Sequence, residues 1–348
     1  MKKLKTAVVG LRFGRVMVEQ LQRKPGNRFF ELVGICDLDR KVLSETSAMY
    51  DVPEIESLDA ILDDDGIDAV TLMTPPWGRA ELIHRIIRCN KHVMTTKPFE
   101  LDPEKAKKAL EEVEKSGMVV YLNSPEPDAA KDLIQIEKWQ KQFDLGRPVG
   151  ARAEIWAKKV ERPGETWYKD PSRCPVAPIF RIGIYLINHL VLLFGEAESV
   201  QVMQSKMAEG ATMPDNAQLG IRFKSGALCN VFVSFIVKDG MDHRQAFTFN
   251  FEQGTLYANT GPLRPEDPEK PLRLELVTPG KKPGEKPRVI EKLFRMDETY
   301  PWESFYNAIL GKHKPQPDYH RKILAGLNII EAMARAEKSG CTEKVKPV

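Results

Sequence analysis

The chain has 348 residues, more than one hydrophobic core usually organises, so two domains are expected. Its 52 basic and 49 acidic residues give a net charge of +3, and without a long basic run this excludes nucleic acid and anionic membranes as expected partners. The five cysteines are scattered, so neither a disulfide framework nor a metal site is expected. No segment predicts a signal peptide or a membrane span, and we expect a cytoplasmic protein.

The first apolar run leads directly into a glycine turn. Residues 6–9 predict a strand, and the turn after it has the pattern Gly10-x-x-x-Gly14. The usual dinucleotide fingerprint is Gly-x-Gly-x-x-Gly, so this turn lacks the middle glycine. Backbone N–H groups at the start of the helix that follows such a turn bind pyrophosphate well. The pattern therefore predicts a dinucleotide site, with Arg12 and Phe13 of the same turn among its contacts.

A carboxylate follows the second apolar run, at residues 29–36. Asp37 is placed to accept hydrogen bonds from the adenosine ribose, and its charge favours NAD because it repels a 2′-phosphate. Arg12 and Arg40 lie close enough in the pattern to accommodate that phosphate, so NADP stays open. The alternative is that Asp37 caps the helix predicted after Asp39.

Strands and helices alternate through the first third of the chain. Apolar runs predict further strands at 69–73, 92–94 and 119–122, with helices at 80–89 and 103–115 between them. Short connections between alternating strands and helices are typical of a parallel sheet with helices on both faces. We therefore expect a doubly wound α/β Rossmann domain over residues 1–124.

After Asn123 the pattern changes from alternating elements to consecutive strands. Helices are predicted at 128–143 and 180–194, and the runs between and after them alternate apolar and polar residues around tight turns. Consecutive hairpins predict a largely antiparallel, open-faced sheet with helices on one side. Residues 125–348 are therefore expected to form an α+β domain. The predicted strand pairs are 219–223 with 227–235 and 246–251 with 255–258.

The C-terminal third holds a proline-rich stretch and two helices. Residues 261–288 contain seven prolines and are expected to form a long hairpin loop or arm of modest order. Amphipathic helices are predicted at 301–310 and 319–338, and we expect them to pack back towards the N-terminal domain. Because exposed apolar sheet faces are rare on monomers, the second sheet predicts a homodimer or homotetramer.

Three stretches resemble motifs of a known family: Val-Thr-Leu-Met-Thr-Pro-Pro at 70–76, His-Val-Met-Thr-Thr-Lys-Pro at 92–98 and Arg-Ile-Gly-Ile-Tyr-Leu-Ile-Asn at 181–188. Together with a dinucleotide half followed by a largely antiparallel half, they make essentially the whole chain similar to the glucose–fructose oxidoreductase/inositol dehydrogenase/rhizopine catabolism protein (Gfo/Idh/MocA) family. The resemblance implies an NAD(P)-dependent oxidoreductase that transfers a hydride to or from a secondary hydroxyl of a sugar, cyclitol or related derivative. It also implies cofactor contacts at Thr74, Pro75, Thr96 and Lys97, and a role of residues 125–348 in substrate binding and oligomerisation.

Four positions depart from the family's pattern. Thr96 stands where the family usually has Glu, Pro76 where it has Asn, and Arg79 near a frequent His. Arg181 occupies the place of the usual acidic residue on the catalytic helix. Because a guanidinium is always charged and only donates hydrogen bonds, it cannot accept a proton or pair with a lysine. The usual acidic machinery is therefore not intact.

The resemblance leaves Lys97 and Tyr185 to handle the hydroxyl proton. Like charge from a bound nicotinamide cation and desolvation would favour the neutral amine of Lys97, and Pro98 fixes the backbone behind it. Tyr185 follows Arg181 by four residues, which places both on one helical face. The alternatives are a surface lysine at a strand end and a tyrosine of the core.

Five further side chains are candidates for the substrate side. Trp77 can stack on a sugar ring or on the nicotinamide, although it is equally suited to anchor its loop, and Trp167 can line the substrate side. Arg162 and Arg181 suit an acidic or phosphorylated sugar. His189, one turn beyond Tyr185, is either a packing residue or a general base.

Two other functions remain open from the sequence. Tightly held NAD can oxidise a sugar transiently and return the hydride after elimination or glycoside cleavage, so that no net redox change appears. Alternatively, the losses at Thr96 and Arg181 mark a dinucleotide-binding sensor or scaffold without turnover.

Overall fold

The computed structural model describes residues 2–123, 130–157, 166–240, 243–262, 264, 271–280, 282, 284–295, 300–316 and 318–348. The chain divides into two compact units. The first comprises Met1–Asp128 and Glu298–His320, and the second comprises Ala129–Asp297 and Arg321–Val348. The first unit thus combines the N-terminal third of the chain with a short segment from near the C-terminus.

The first unit is built on a parallel sheet of five strands in the order β2-β1-β3-β4-β5. Its centre is buried on both faces, as in β3, where all four residues are inaccessible. This confirms the predicted doubly wound sheet. The strands are β1 (Leu4–Val9), β2 (Phe30–Cys36), β3 (Ala69–Leu72), β4 (His92–Thr95) and β5 (Val120–Leu122).

Six helices connect these strands: α1 (Leu11–Gln22), α2 (Gly26–Phe29), α3 (Arg40–Tyr50), α4 (Leu58–Asp63), α5 (Arg79–Arg88) and α6 (Pro103–Ser116). Several have local start and stop signals. The Asp102 side chain accepts hydrogen bonds from the first turn of α6, Pro103 occupies its first position, and Gly117 ends it at a φ of 72°. These signals explain why the sequence predicts α6 so closely.

The core of the first unit includes a late helix, α9 (Trp302–Ile309). The Phe30 ring lies 5.4 Å from that of Phe305 and 5.7 Å from that of Trp302, centroid to centroid. Burying large aromatic side chains contributes most of the energy of such a core. The apolar face of α9 therefore ties this late segment to the parallel sheet of the first unit.

The second unit is built on a nine-stranded sheet in the order β13-β12-β11-β10-β6-β9-β8-β7-β14. Only β6 and β9 pair in parallel; the other neighbours are antiparallel. Both predicted hairpins are present, as β8 with β9 and β10 with β11. The strands are β6 (Pro148–Ala157), β7 (Ala197–Ser205), β8 (Asn216–Phe223), β9 (Leu228–Ser234), β10 (His243–Phe251), β11 (Gly254–Ala258), β12 (Pro271–Thr278), β13 (Arg288–Arg295) and β14 (Glu343–Lys344).

Three longer helices belong wholly or mainly to the second unit: α7 (Lys131–Gln142), α8 (Ile184–Phe194) and α10 (Tyr319–Ser339). The helix α8 packs on the sheet, with the Phe194 ring 5.3 Å from that of Phe223 and 6.4 Å from that of Phe249. Among the described residues, no helix is long and apolar enough to cross a membrane.

Two predicted elements differ from the structure. The proline-rich stretch was expected to form a loop or arm, but its described part contains the strand β12, paired with β11 and β13. Its prolines flank the strand: Pro271 is its first residue and Pro279 follows it, so no backbone donor is lost within it. The helix predicted from residue 180 is α-helical only from Ile184, because Ile179–Gly183 forms a π-helical turn.

The outward face of the second sheet is mixed in character. Arg152 and Glu154 of β6 and Gln218 and Arg222 of β8 are exposed, while their strand neighbours alternate into the core. An apolar face was the reason to expect an oligomer, and these side chains are polar. Assembly through this sheet therefore stays a prediction.

Candidate functional site

The glycine turn lies at the carboxyl edge of the parallel sheet, next to the neighbouring strands β1 and β3. Here the order of the strands reverses, because β2 is added on one side of β1 and β3 on the other. This is the switch point at which doubly wound sheets bind ligands. Gly10 has a φ of 87°, and a Cβ there would lie 2.9 Å from both the Met73 carbonyl carbon and the Thr74 nitrogen. A Cβ at Gly14 would lie 3.0 Å from a methyl of Val8. Gly10 therefore lets the backbone of Met73 and Thr74 approach closely, and Gly14 lets the side chain of Val8 pack against the helix.

Asp37 holds the start of α1. Its carboxylate accepts hydrogen bonds from the Leu11 backbone nitrogen at 2.6 Å and from that of Asp39 at 2.8 Å. The cap of α3 is Asp39, whose side chain accepts from the nitrogens of Lys41 and Val42. The alternative of Asp37 as the cap of α3 is therefore wrong. Its contact with a ribose stays a prediction.

The end of β3 brings an unsatisfied hydroxyl to the same edge of the sheet. The Thr74 Oγ1 atom is buried and has no hydrogen-bond partner among the described residues. The Thr74 backbone is also the segment that approaches Gly10. A close backbone cradle with a buried hydroxyl in need of a partner fits a bound dinucleotide.

Two further predicted contacts, Arg12 and Phe13, stand on the first turn of α1. Phe13 is 41% exposed, although it is large and apolar. The guanidinium of Arg12 lies 3.8 Å from the carboxylate of Asp39, which is two residues beyond Asp37. Arg12 is thus close to the acidic end of β2, where the choice between NAD and NADP is expected to be made.

Lys97 follows β4 by two residues, in a segment held by a buried arginine. Its side chain is half-buried, and the Lys97–Pro98 peptide bond is cis. The Arg79 guanidinium donates to the carbonyl oxygens of Thr96, at 2.6 Å, Pro98 and Thr74. The structure thus brings the predicted contacts Thr74, Thr96 and Lys97 together around a side chain whose function the sequence did not predict.

In the second unit, Arg181 lies among aromatic rings. Its guanidinium carbon is 4.2 Å from the centre of the Tyr168 ring and 5.1 Å from that of Phe235. The Trp167 and Tyr168 rings are 3.8 Å apart. Such cation–π contacts fix the position of a guanidinium while its N–H groups can still serve as donors. We refer to Trp167, Tyr168, Arg181 and Phe235 as the Arg181 cluster.

His189 forms a buried ion pair with Asp132 of α7, 3.5 Å from Nε2 to the carboxylate oxygen. Its other ring nitrogen, Nδ1, lies 3.0 Å from the Tyr185 carbonyl oxygen. Burial alone would lower the pKa of His189, but the hydrogen bond and charge of Asp132 outweigh it and the pKa is raised. Burial alone would raise the pKa of Asp132, but the same pairing holds it below its usual value.

Because both nitrogens of His189 face oxygens that accept hydrogen bonds, the ring is held as a charged donor. A general base needs a nitrogen that can accept a proton. This arrangement favours the packing interpretation of His189. Tyr185, half-buried on the same helix, has its carbonyl in this contact and stays a candidate for proton transfer.

Two polar residues of these sites were not predicted from the sequence as site residues. Arg79 carried a signal, since a cation in the first turn of a helix is electrostatically unfavourable and needs an explanation. Asp132 carried none, because it is 57 residues from His189 and acidic residues are common in first turns. Arg162 lies outside the described residues. Within the described ranges, no cluster of His, Cys, Asp and Glu is arranged to hold a metal ion.

Comparison with known proteins agrees with this architecture. A family model described as "Oxidoreductase family, NAD-binding Rossmann fold" (Gfo/Idh/MocA) matches residues 4–124, and the corresponding C-terminal domain model matches residues 133–257. An uncharacterized oxidoreductase of Schizosaccharomyces pombe is 25% identical over 290 residues, 75% of this chain and 76% of that protein.

Two other similar proteins have named activities. Inositol 2-dehydrogenase of Rhizobium meliloti is 30% identical over 112 residues, 32% of this chain and 34% of that enzyme. Levoglucosan dehydrogenase, solved in complex with NADH, matches with a TM-score of 0.75 at 15% identity and covers 100% of both chains. At that identity the likeness shows a shared fold.

Proposed function

Because the chain belongs to the Gfo/Idh/MocA oxidoreductase family and carries its NAD-binding Rossmann domain, we propose that it transfers a hydride between NAD(P) and a secondary hydroxyl of a sugar, cyclitol or related derivative. The observation that carries this proposal is the carboxyl edge of the parallel sheet. There the Gly10 turn, the buried Thr74 hydroxyl and the segment containing Lys97 follow three neighbouring strands. A shared fold alone would not establish a reaction.

The first unit offers contacts along the length of a dinucleotide. We propose that Gly10 and Gly14 admit the pyrophosphate to the start of α1, and that Asp37 accepts from the ribose. Thr74, Pro75 and Thr96 would contact the nicotinamide end. When bound, the nicotinamide ring supplies the acceptor or donor of the hydride. The relatives named above, an inositol dehydrogenase and a sugar dehydrogenase that binds NADH, support this class of reaction.

Oxidation of an alcohol also requires a group that takes the hydroxyl proton. We propose that the amine of Lys97 does this, because it is half-buried and follows the strand end beside Thr74. The phenol of Tyr185 is the second candidate for the same proton. Neither role depends on the acidic residue that Arg181 replaces.

The Arg181 cluster is proposed to contact the substrate. The rings of Trp167 and Tyr168 can pack against the apolar face of a sugar, and a guanidinium favours carboxylate or phosphate oxygens. The 4.2 Å contact with Tyr168 supports this role because it holds the cation in one place. A substrate with an acidic group is therefore expected to be preferred over its neutral counterpart.

A thermal-shift titration with NADH and NADPH in parallel tests the cofactor site. A saturable rise in melting temperature with one of them is expected and identifies the preferred cofactor. Sugars, cyclitols and sugar acids are then tested for NAD(P)H formation, with Lys97→Ala as the control that should lose turnover. Light scattering in the same buffer measures the oligomeric state, where a monomeric mass would contradict the predicted assembly.

Other outcomes would favour the two alternative functions. A cleaved product with cofactor recovered unreduced would indicate transient oxidation without net redox. Cofactor binding with no turnover, and cellular activity insensitive to Lys97→Ala, would indicate a sensor or scaffold. In protein free of co-purified cofactor, no shift with either nucleotide would contradict the proposed oxidoreductase.

A further inference from the structure

We propose that Arg79 is a positioning residue that holds the segments after β3 and β4 in one arrangement and thereby shapes the nicotinamide end of the site. The inference rests on the proposed function, since it assumes that Thr74 and Lys97 contact the cofactor. It concerns a side chain to which the function above assigns no role.

The contacts of Arg79 join two segments that are distant in sequence. Its Nη1 atom donates to the carbonyl oxygens of Thr96, at 2.6 Å, and Pro98, the residues on either side of Lys97. Its Nη2 atom donates to the carbonyl oxygen of Thr74 at the end of β3. One planar guanidinium thus sets the spacing between the backbone at Thr74 and the backbone around Lys97.

The position of Arg79 is electrostatically unfavourable in itself. The side chain is 2% exposed, and it stands in the first turn of α5, where the helix dipole disfavours a cation. Burying a charge is costly unless the charged group is hydrogen-bonded, and the two Nη atoms of Arg79 supply these bonds. The three carbonyls offset this cost only while both segments stay where they are. Movement of either segment away from Arg79 is therefore unfavourable, because it would leave the buried guanidinium with fewer hydrogen bonds.

A buried carboxylate forms a second connection between the start of α5 and the segment that contains Lys97. Glu100, also 2% exposed, accepts hydrogen bonds from the Ala80 nitrogen at 2.9 Å and the Leu101 nitrogen at 2.8 Å. It therefore joins the first turn of α5 to the chain just beyond Pro98. The segment containing Lys97 is held at both of its ends by residues packed at the start of α5.

Arginine is suited to this task in a way that lysine is not. Its fork presents several N–H donors in fixed directions, whereas an ammonium is a single point with three rotating donors. We therefore expect Arg79→Lys to keep the charge but to fix the distance between the two backbone segments less well. Arg79→Met keeps much of the volume but loses both the charge and the hydrogen bonds.

The experiment compares the affinities of NADH and ADP for wild type, Arg79→Met and Arg79→Lys by calorimetry or fluorescence. ADP occupies only the end of the site near Gly10 and Asp37. The matched control is Arg88→Met, an exposed arginine on the same helix. Hydrogen exchange of peptides that contain 74–78 and 95–101 reports on the two segments without any ligand.

The expected result for Arg79→Met is an about tenfold loss of NADH affinity, equivalent to ~1.4 kcal/mol. ADP affinity should stay unchanged, and exchange should become faster only in the two segments. Arg79→Lys should fall between wild type and Arg79→Met, and Arg88→Met should match wild type. Equal losses of NADH and ADP affinity, or faster exchange throughout the unit, would mean a general structural role and overturn the inference.

Failure of the proposed cofactor site gives a different result. Wild-type protein would then bind NADH no better than ADP, or neither of them, whatever residue stands at position 79. If wild-type protein binds NADH better than ADP and Arg79→Met changes neither affinity, the proposed cofactor site survives and the positioning role of Arg79 does not.

Discussion

The two units hold their candidate site residues by different means. In the first unit the contacts are made largely by backbone: Gly10 packs against the backbone at Thr74, and the carbonyls around Lys97 bind Arg79. In the second unit the contacts are made by pairs of side chains: the Arg181 guanidinium lies over the Tyr168 ring, and His189 forms an ion pair with Asp132. Backbone positions are hard to alter without loss of the fold, whereas side-chain partners can be exchanged. Substitutions at these sites in the first unit should therefore change cofactor binding and turnover. Those in the second unit should change the free energy of unfolding and the preference among substrates.

The largest effect is expected on turnover. Lys97→Met should lower kcat by about 10²- to 10⁴-fold, the usual contribution of a positioned acid–base group, while NADH binds nearly as well as to wild type. Steady-state kinetics on the best substrate of the screen, together with an NADH titration, measure both quantities. Lys107→Met, on the exposed face of α6, is the control. Unchanged kcat would remove Lys97 from the proposed chemistry.

The second prediction concerns stability in the second unit. Asp132→Asn leaves His189 buried without its counter-ion and should cost about 3 kcal/mol of unfolding free energy, as for other broken buried pairs. Urea unfolding measures it. NADH affinity should not change. If Asp132→Asn instead lost much of its NADH affinity while its free energy of unfolding stayed unchanged, the proposed difference between the two units would be wrong.

The pH dependence of the same pair has a definite sign. The pKa of His189 is raised above its ordinary 6.5, so its contribution is complete below that pH and is lost as the pH rises through the raised pKa. The pKa of Asp132 is lowered below 3.8, so its contribution is complete above that pH and is lost as the pH falls through the lowered pKa. The difference in stability between wild type and Asp132→Asn should be greatest between these values. The double variant with His189→Gln should lose this pH dependence.

The third prediction compares two glycines with a positive φ. Gly117, with a φ of 72° and a ψ of 1°, is left-handed, and a Cβ there meets no other atom within 4 Å. Gly117→Ala should cost only this strain, about 1 kcal/mol. Gly10, with a φ of 87° and a ψ of 99°, lies outside the left-handed region, and a Cβ there would also meet the backbone of Met73 and Thr74. Gly10→Ala should cost about 1–3 kcal/mol more and weaken NADH binding, because the strain is greater and the segment after β3 must move away. Equal stabilities of the two variants would show that the turn at Gly10 can relax.

The smallest effect is expected on the choice of cofactor. Asp37→Asn keeps an oxygen that can accept from the Leu11 nitrogen but removes the charge. The ratio of NADPH to NADH affinity should rise about tenfold, which corresponds to ~1.4 kcal/mol. Parallel titrations with the two nucleotides measure it. An unchanged ratio would indicate that the carboxylate serves only to hold α1.

Much of the fold could be predicted because its signals are local. The apolar runs of β1 and β3, the turn at Gly10 and the proline start of α6 each act within a few residues. The fold class and the NAD-binding domain predicted from such signals are confirmed, and so is the family predicted from the resemblance. The strand β12 was missed because its flanking prolines are typical of loops. Its pairing with β11 and β13 on either side is not visible in its own residues. The catalytic and binding roles assigned to single residues stay predictions.

By itself the sequence determined the two kinds of sheet, the glycine turn between β1 and α1, and the carboxylate at the end of β2. These follow from periodicity and from the backbone freedom of particular residues, which neighbours along the chain decide. Only the tertiary structure decided that Asp132 pairs with His189, and that Arg79 binds the carbonyls on both sides of Lys97. The physical reason is that each of these depends on which distant segments share a buried space, and a charge can be buried only where the fold supplies its partners.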